Sequence, residues 1–173
     1  MDEAALKKYI RDIPDFPKPG ILFRDVTPLL LEPEALQAAA DAVVAPFLGD
    51  GIERVLAIDS RGFLLGAPAA LALGAGLALV RKKGKLPYHT HQVSYDLEYG
   101  SDTVEMHVDA VAPGQRVLIL DDLIATGGTA AAALRLAREA GGVVIGCAFL
   151  IELSELAGTR KLDAPRIHSV LRY

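Results

Sequence analysis

The most chemically loaded stretch of the sequence is Val117-Leu118-Ile119-Leu120-Asp121-Asp122-Leu123-Ile124-Ala125-Thr126-Gly127-Gly128-Thr129. Its four successive branched aliphatics predict a strand buried on both faces. Two adjacent carboxylates therefore arrive at the carboxyl end of a strand, where open α/β sheets bind ligands. Two glycines and two threonines follow, at the start of a predicted helix. Glycine lets backbone N–H groups close on a phosphate, threonine hydroxyls add donors, and the helix dipole favours an anion. Adjacent carboxylates are unsuited to phosphate but suit the vicinal hydroxyls of a sugar, or a cation beside it. The stretch thus reads as a cradle for a ribose 5-phosphate, with Asp121 and Asp122 at the ribose and Ala125, Thr126, Gly127, Gly128 and Thr129 around the phosphate. A lone Gly-Gly-Thr would mean only a packed βα turn; the acidic pair and the strand before it make the difference. The Gly-Lys-Ser/Thr ending of a Walker A loop is missing.

Three further segments carry polar chemistry. In Ala57-Ile58-Asp59-Ser60-Arg61-Gly62-Phe63 a strand again gives way to a helix, which makes a second anion site with Ser60 and Arg61 as donors. The run Leu79-Val80-Arg81-Lys82-Lys83-Gly84-Lys85-Leu86-Pro87 is basic, and it precedes Ser94-Tyr95-Asp96-Leu97-Glu98-Tyr99-Gly100-Ser101-Asp102. The segment Phe16-Pro17-Lys18-Pro19-Gly20-Ile21-Leu22-Phe23-Arg24-Asp25 is pinned by prolines, a poor source of acid–base chemistry but a good rigid wall.

Taken together, these segments resemble the type I phosphoribosyltransferases over nearly the whole chain. The acidic pair with Ala-Thr-Gly-Gly-Thr is similar to the family signature. Leu97-Glu98-Tyr99-Gly100 resembles the catalytic lid of the branch that uses adenine. The resemblance implies transfer of a phosphoribosyl group from phosphoribosyl pyrophosphate (PRPP) to adenine, giving AMP and pyrophosphate. Mg²⁺ would be carried in by PRPP rather than held by a dedicated protein site. By the same resemblance Asp59, Ser60, Arg61, Arg81 and Lys85 bind pyrophosphate, and the Asp59–Ser60 peptide is cis. Phe23 stacks on the purine, Leu123 flanks its other face, and backbone groups of Leu22 and Arg24 read its edge. Glu98, Arg61 and Asp122 are the implied catalytic residues, with Glu98 near the base once the lid closes. A homodimer is also implied. Tyr88, where the family has glycine, and His89-Thr90-His91-Gln92 depart from the lid pattern.

The elements that must position these residues alternate along the chain. Apolar runs at 54–58, 77–80, 117–120 and 143–150 predict strands, with a fifth strand or a cap at 167–171. Helices are predicted over 4–13, 33–47, from about 61, and over 129–140. Strands alternating with helices point to an α/β fold, an open twisted mainly parallel sheet with helices on both faces. A small N-terminal hood over about 1–30 and a lid over about 81–105 complete one expected domain, 1–173. The stretch 81–100 has no helical period, and a strand at 104–107 would make it a β-excursion.

Composition narrows the function classes. The chain has 173 residues, 51% of them hydrophobic, enough for a single core. A net charge of −4 argues against a nucleic-acid partner. No apolar run is long enough for a membrane span, the amino terminus lacks the pattern of a secretory signal, and the lone Cys147 lies in an apolar run. These features place the expected protein in the cytoplasm. Other bases remain in view within the family. The 6-oxopurine branch carries an acidic residue where this chain has Ala125, and the uracil branch has proline at the position of Asp122. A PRPP-sensing regulator would need a basic surface or an added module, for which neither charge nor length leaves room.

Overall fold

In a computed structural model of the chain, residues 1–96 and 100–173 are described. The chain opens with α1 (Glu3–Lys7), β1 (Arg11–Pro14) and β2 (Leu22–Asp25), followed by α2 (Thr27–Leu31) and α3 (Pro33–Val44). Then come β3 (Arg54–Ile58), α4 (Gly62–Leu73), β4 (Gly76–Lys82), β5 (Thr90–Asp96) and β6 (Ser101–His107). The last elements are β7 (Arg116–Ile124), α5 (Gly128–Glu139), β8 (Val143–Glu152) and β9 (Ile167–Arg172).

Seven strands form one sheet in the order β5-β6-β4-β3-β7-β8-β9, and β1 with β2 forms a separate two-stranded sheet. The pairs β4–β3, β3–β7, β7–β8 and β8–β9 are parallel, while β6 runs antiparallel to both β4 and β5. This is the mainly parallel α/β sheet expected from the alternation of apolar runs and helices. Side chains of β7 alternate between two cores. Val117 and Ile119 pack toward α5, whereas Leu118 and Leu120 pack with α3 and α4 residues such as Val43 and Leu65. A strand so covered on both faces has no room for polar alternation, hence its unbroken aliphatic run.

Two local expectations are corrected. The helix over 4–13 stops at Lys7, and Arg11–Pro14 becomes a strand. Asp2 starts the helix by accepting the Ala5 N–H at 2.8 Å. Beyond it, antiparallel pairing of Arg11 to Pro14 with Asp25 to Leu22 satisfies the backbone instead. That pairing is fastened by Arg11 Nη2 to Asp25 Oδ2 at 2.6 Å. The stretch from Arg81 is less of a loop than its composition suggests, since β4 continues to Lys82 and β5 begins at Thr90. The β-excursion is therefore a hairpin of β5 and β6, attached to the sheet through β4.

One surface stands apart. Helix α4 contains no charged residue, yet Leu64 and Leu71 on it are 50% and 84% exposed. On the neighbouring β4, Leu77 and Leu79 are exposed as well. Among the described residues no helix is long and apolar enough to cross a membrane.

Candidate active site

The acidic pair sits where β7 outruns its neighbour. Pairing of β3 with β7 ends at Ala57 and Leu120, while β8 accompanies β7 as far as Ile124. Asp121 and Asp122 are thus backed by β8 on one side and open to the β3–α4 turn on the other. The Asp122 N–H donates to Asp121 Oδ1 at 2.8 Å. Burial, and then the neighbouring Asp122 charge, push the Asp121 carboxyl well above the usual carboxylate range. Burial raises Asp122 also, opposed by the guanidinium of Arg61. Arg61 Nε lies 2.6 Å from Asp122 Oδ2, a close ion pair.

That turn approaches closely because residue 62 is glycine. A Cβ there would stand 2.8 Å from Asp121 Oδ1 and 3.2 Å from both Asp121 Cα and Leu120 O. The Asp59–Ser60 peptide is cis, as the resemblance implied. Arg81 Nε donates to Asp59 Oδ2 at 2.9 Å, and its Nη1 reaches the Lys85 carbonyl at 3.1 Å.

After β7 the chain turns through Ala125 and Thr126 into α5, with Gly127 in the left-handed region at φ 78°. This turn is braced from outside by Gly158. A Cβ on Gly127 would fall 2.2 Å from the Gly158 carbonyl oxygen, and one on Gly158 would fall 2.2 Å from that of Ala125. Asp121, Leu123 and residues 124–130 enclose a cleft of about 120 Å³. A neighbouring cleft of about 270 Å³ is bounded by Asp59, Arg81, Lys82, Tyr95, Asp102, Asp121 and Thr129, among others. Asp121 and Thr129 face both.

The N-terminal strip joins this site through Arg61, whose guanidinium lies 5.2 Å from the centre of the Phe23 ring. Phe16 packs edge-on against the same ring at 5.1 Å. The Arg24 side chain turns away, to Asp12 Oδ1 at 2.5 Å and over the Tyr173 ring at 4.0 Å. Leu22 and Ser60 are exposed. Lys85 is exposed too, on the turn between β4 and β5, and lines neither cleft. Glu98 lies outside the described residues.

Several residues of this site had no assigned role from the sequence. The buried Glu105 accepts the amides of Lys85 and Leu86, each at 2.9 Å, and the side chains of Thr90 and Gln92, each at 3.3 Å. Burial alone would raise its carboxyl, but the backbone donors of the Lys85 turn outweigh it and hold the group below its usual range. A carboxylate between the apolar Val104 and Met106 was the available signal. Gly158, in Leu-Ala-Gly-Thr, offered none.

The chain as a whole is similar to known proteins. A family model described as "Phosphoribosyl transferase domain" matches residues 35–169. A Rhodopirellula baltica protein named adenine phosphoribosyltransferase is 53% identical over 168 residues, covering 97% of this chain and 82% of the relative. The crystal structure of adenine phosphoribosyltransferase from Rhodothermus marinus superposes with a TM-score of 0.95 at 56% identity, over 99% of this chain and 98% of that one. The Saccharomyces cerevisiae enzyme, crystallised with adenine and an imino-altritol bisphosphate, gives a TM-score of 0.92 at 40% identity, covering 98% of each chain. With such agreement along nearly its full length, the chain belongs to the adenine phosphoribosyltransferase family of type I phosphoribosyltransferases.

Proposed function

We propose that the chain transfers the 5-phosphoribosyl group of PRPP to adenine, giving AMP and pyrophosphate, as an enzyme of purine salvage. The observation that carries this reading is the meeting of two βα turns on one acidic pair, with Gly62 pressed against Asp121 and Arg61 against Asp122. One turn offers amides and threonine hydroxyls for the 5′-phosphate, and the other offers Ser60, Arg61 and Arg81 for the diphosphate. A ribose spanning the two turns puts its hydroxyls at Asp121 and Asp122.

In the reaction a purine ring nitrogen bonds to C1 of the ribose as the C1–oxygen bond to pyrophosphate breaks. Positive charge develops on the sugar while negative charge develops on the leaving group. Fixed charges aimed at both ends stabilise that separation more than they stabilise bound PRPP. Arg61, Arg81 and Lys85 neutralise the pyrophosphate. Asp121 and Asp122 hold the ribose hydroxyls and set their negative potential beneath the oxocarbenium-like carbon. Phe23 and Leu123 flank the adenine, with backbone groups of Leu22 and Arg24 at its edge. Glu98 takes or relays the proton that the purine loses.

Mg²⁺ fits this set of residues as a companion of PRPP. Asp121 faces both clefts with the Asp122 carboxylate beside it, hard oxygens suited to a hydrated cation held through its water. Among the described residues no three carboxylate, histidine or cysteine side chains converge as a ligand set, so substrate oxygens and water would complete the shell. When bound, the cation adds positive charge to the departing diphosphate.

The functional unit in this reading is a homodimer. A helix apolar all round is ordinarily covered, and a second copy would cover Leu64 and Leu71 of α4 together with Leu77 and Leu79 of β4. The cytoplasm is the proposed compartment. Its substrate PRPP is a highly charged phosphate, and the buried Cys147 calls for no oxidising environment. Incubating the chain with PRPP, Mg²⁺ and each nucleobase in turn tests the function. Pyrophosphate release with adenine alone supports it, and release with another base but not adenine overturns it.

A further inference from the structure

Among the described residues, one side-chain hydroxyl of the β5–β6 hairpin hydrogen-bonds to the phosphate turn. Tyr95, on β5, places its phenolic oxygen 3.0 Å from Thr129 Oγ1, in the first turn of α5. The same oxygen lies 3.4 Å from Asp102 Oδ2 on β6, and Lys82 Nζ on β4 sits 2.6 Å from that carboxylate oxygen. The Tyr95 ring packs against the turn itself, since a Cβ on Gly128 would stand 3.0 Å from it. Lys82, Asp102, Tyr95 and Thr129 therefore form a polar chain along one wall of the larger cleft. Asp102 is held below its usual range, first by its bond to Lys82, so it is an ionised acceptor. Burial raises the Tyr95 phenol, which keeps its proton.

We infer that Tyr95 is a positioning residue for the 5′-phosphate, acting through Thr129. The inference rests on the ribose 5-phosphate reading of the turn. Its logic is a count of protons. A threonine hydroxyl has one proton and two lone pairs, and a phosphate dianion only accepts. If Thr129 gives its proton to the phosphate, its contact with Tyr95 must run the other way: the phenol's one proton goes to Thr129 at 3.0 Å and leaves the longer, 3.4 Å contact with Asp102, which keeps Lys82 as its donor. Tyr95 then fixes the hydroxyl rotor with its proton toward the phosphate. Without the phenolic hydrogen the rotor is free, and part of its population points away. The ring packed on Gly128 keeps the phenol over the turn.

The test is Tyr95→Phe, which keeps the ring on Gly128 and removes only the hydroxyl. Affinity for ribose 5-phosphate and for PRPP is expected to fall about five- to tenfold, the scale of one hydrogen bond. Affinity for pyrophosphate and kcat at saturating PRPP should stay within about twofold. In a Thr129→Ala background the same substitution should add nothing, because the hydroxyl it orients is gone. Unchanged ribose 5-phosphate affinity in Tyr95→Phe overturns the inference. So does an equal loss in the Thr129→Ala background, or a parallel loss of pyrophosphate affinity, either of which would mean the hairpin acts through general packing. A parent chain that binds no ribose 5-phosphate would instead sink the reading of the turn on which the inference stands.

Discussion

Gly158→Ala probes the bracing of the phosphate turn from a residue that is not itself placed on the substrate. The added methyl carbon would lie 2.2 Å from the Ala125 carbonyl oxygen and 2.7 Å from the Gly127 nitrogen. Ordinary carbon–oxygen contacts begin at about 3.3 Å, so the two segments must separate by roughly 1 Å. Both contacts are with backbone, and no side-chain rotation relieves them. Overpacking of this kind costs about 1–3 kcal/mol, which for a chain of this length lowers Tm by about 2–12 °C. The functional cost is expected to be larger, because a misplacement of about 1 Å in a positioning group reduces rate by as much as 10²-fold. The assay pairs calorimetry with titration of ribose 5-phosphate and of pyrophosphate separately. Ribose 5-phosphate affinity and kcat/KM for PRPP should fall sharply, with pyrophosphate affinity close to that of the parent. A folded Gly158→Ala protein with parental ribose 5-phosphate affinity would refute the claim that this glycine contact shapes the site.

Other substitutions separate stability, chemistry and assembly. Asp121→Asn should abolish most activity yet raise Tm at neutral pH. The folded chain holds the Asp121 proton more tightly than the unfolded chain; its stability contribution is therefore whole below the unfolded value of about 3.9 and is lost as pH rises through the folded one. The gain in Asp121→Asn should shrink as pH falls toward 4, and a variant less stable than the parent at pH 7 would contradict the assignment. Glu98→Gln should slow single-turnover AMP formation by about 10²–10⁴-fold with PRPP affinity nearly intact; an unchanged chemical rate would leave Glu98 with no part in proton movement. Leu64→Glu with Leu71→Glu should convert a sedimenting dimer to monomer, and a persistent dimer would place the interface elsewhere.

Much of this molecule was legible in its sequence for a physical reason. Strands buried on both faces admit only aliphatics, so 55–58 and 117–120 stand out as unbroken runs, and the turns that follow them carry the polar chemistry. The segment at 11–13 was misread as helix because its sheet partner lies within 22–25, and local pattern carries no record of that pairing. The hairpin after Lys82 was only partly legible, since its polar face hides the strand period. Gly158 and Gly62 illustrate a deeper limit: each matters for what a side chain would strike, and that depends on a segment distant in sequence. Glu105 and the Tyr95–Thr129 contact are similarly products of register, visible once β5, β6 and α5 are side by side.

The most direct measurement is a crystal structure of the chain with AMP and pyrophosphate. The expected result has the AMP phosphate against the amides of Gly127 and Gly128 and the Thr129 hydroxyl, with ribose hydroxyls on Asp121 and Asp122. Adenine should lie between Phe23 and Leu123, and pyrophosphate should contact Ser60, Arg61 and Arg81. An AMP phosphate bound at the Asp59–Arg61 turn, or ribose hydroxyls directed away from the acidic pair, would contradict the account.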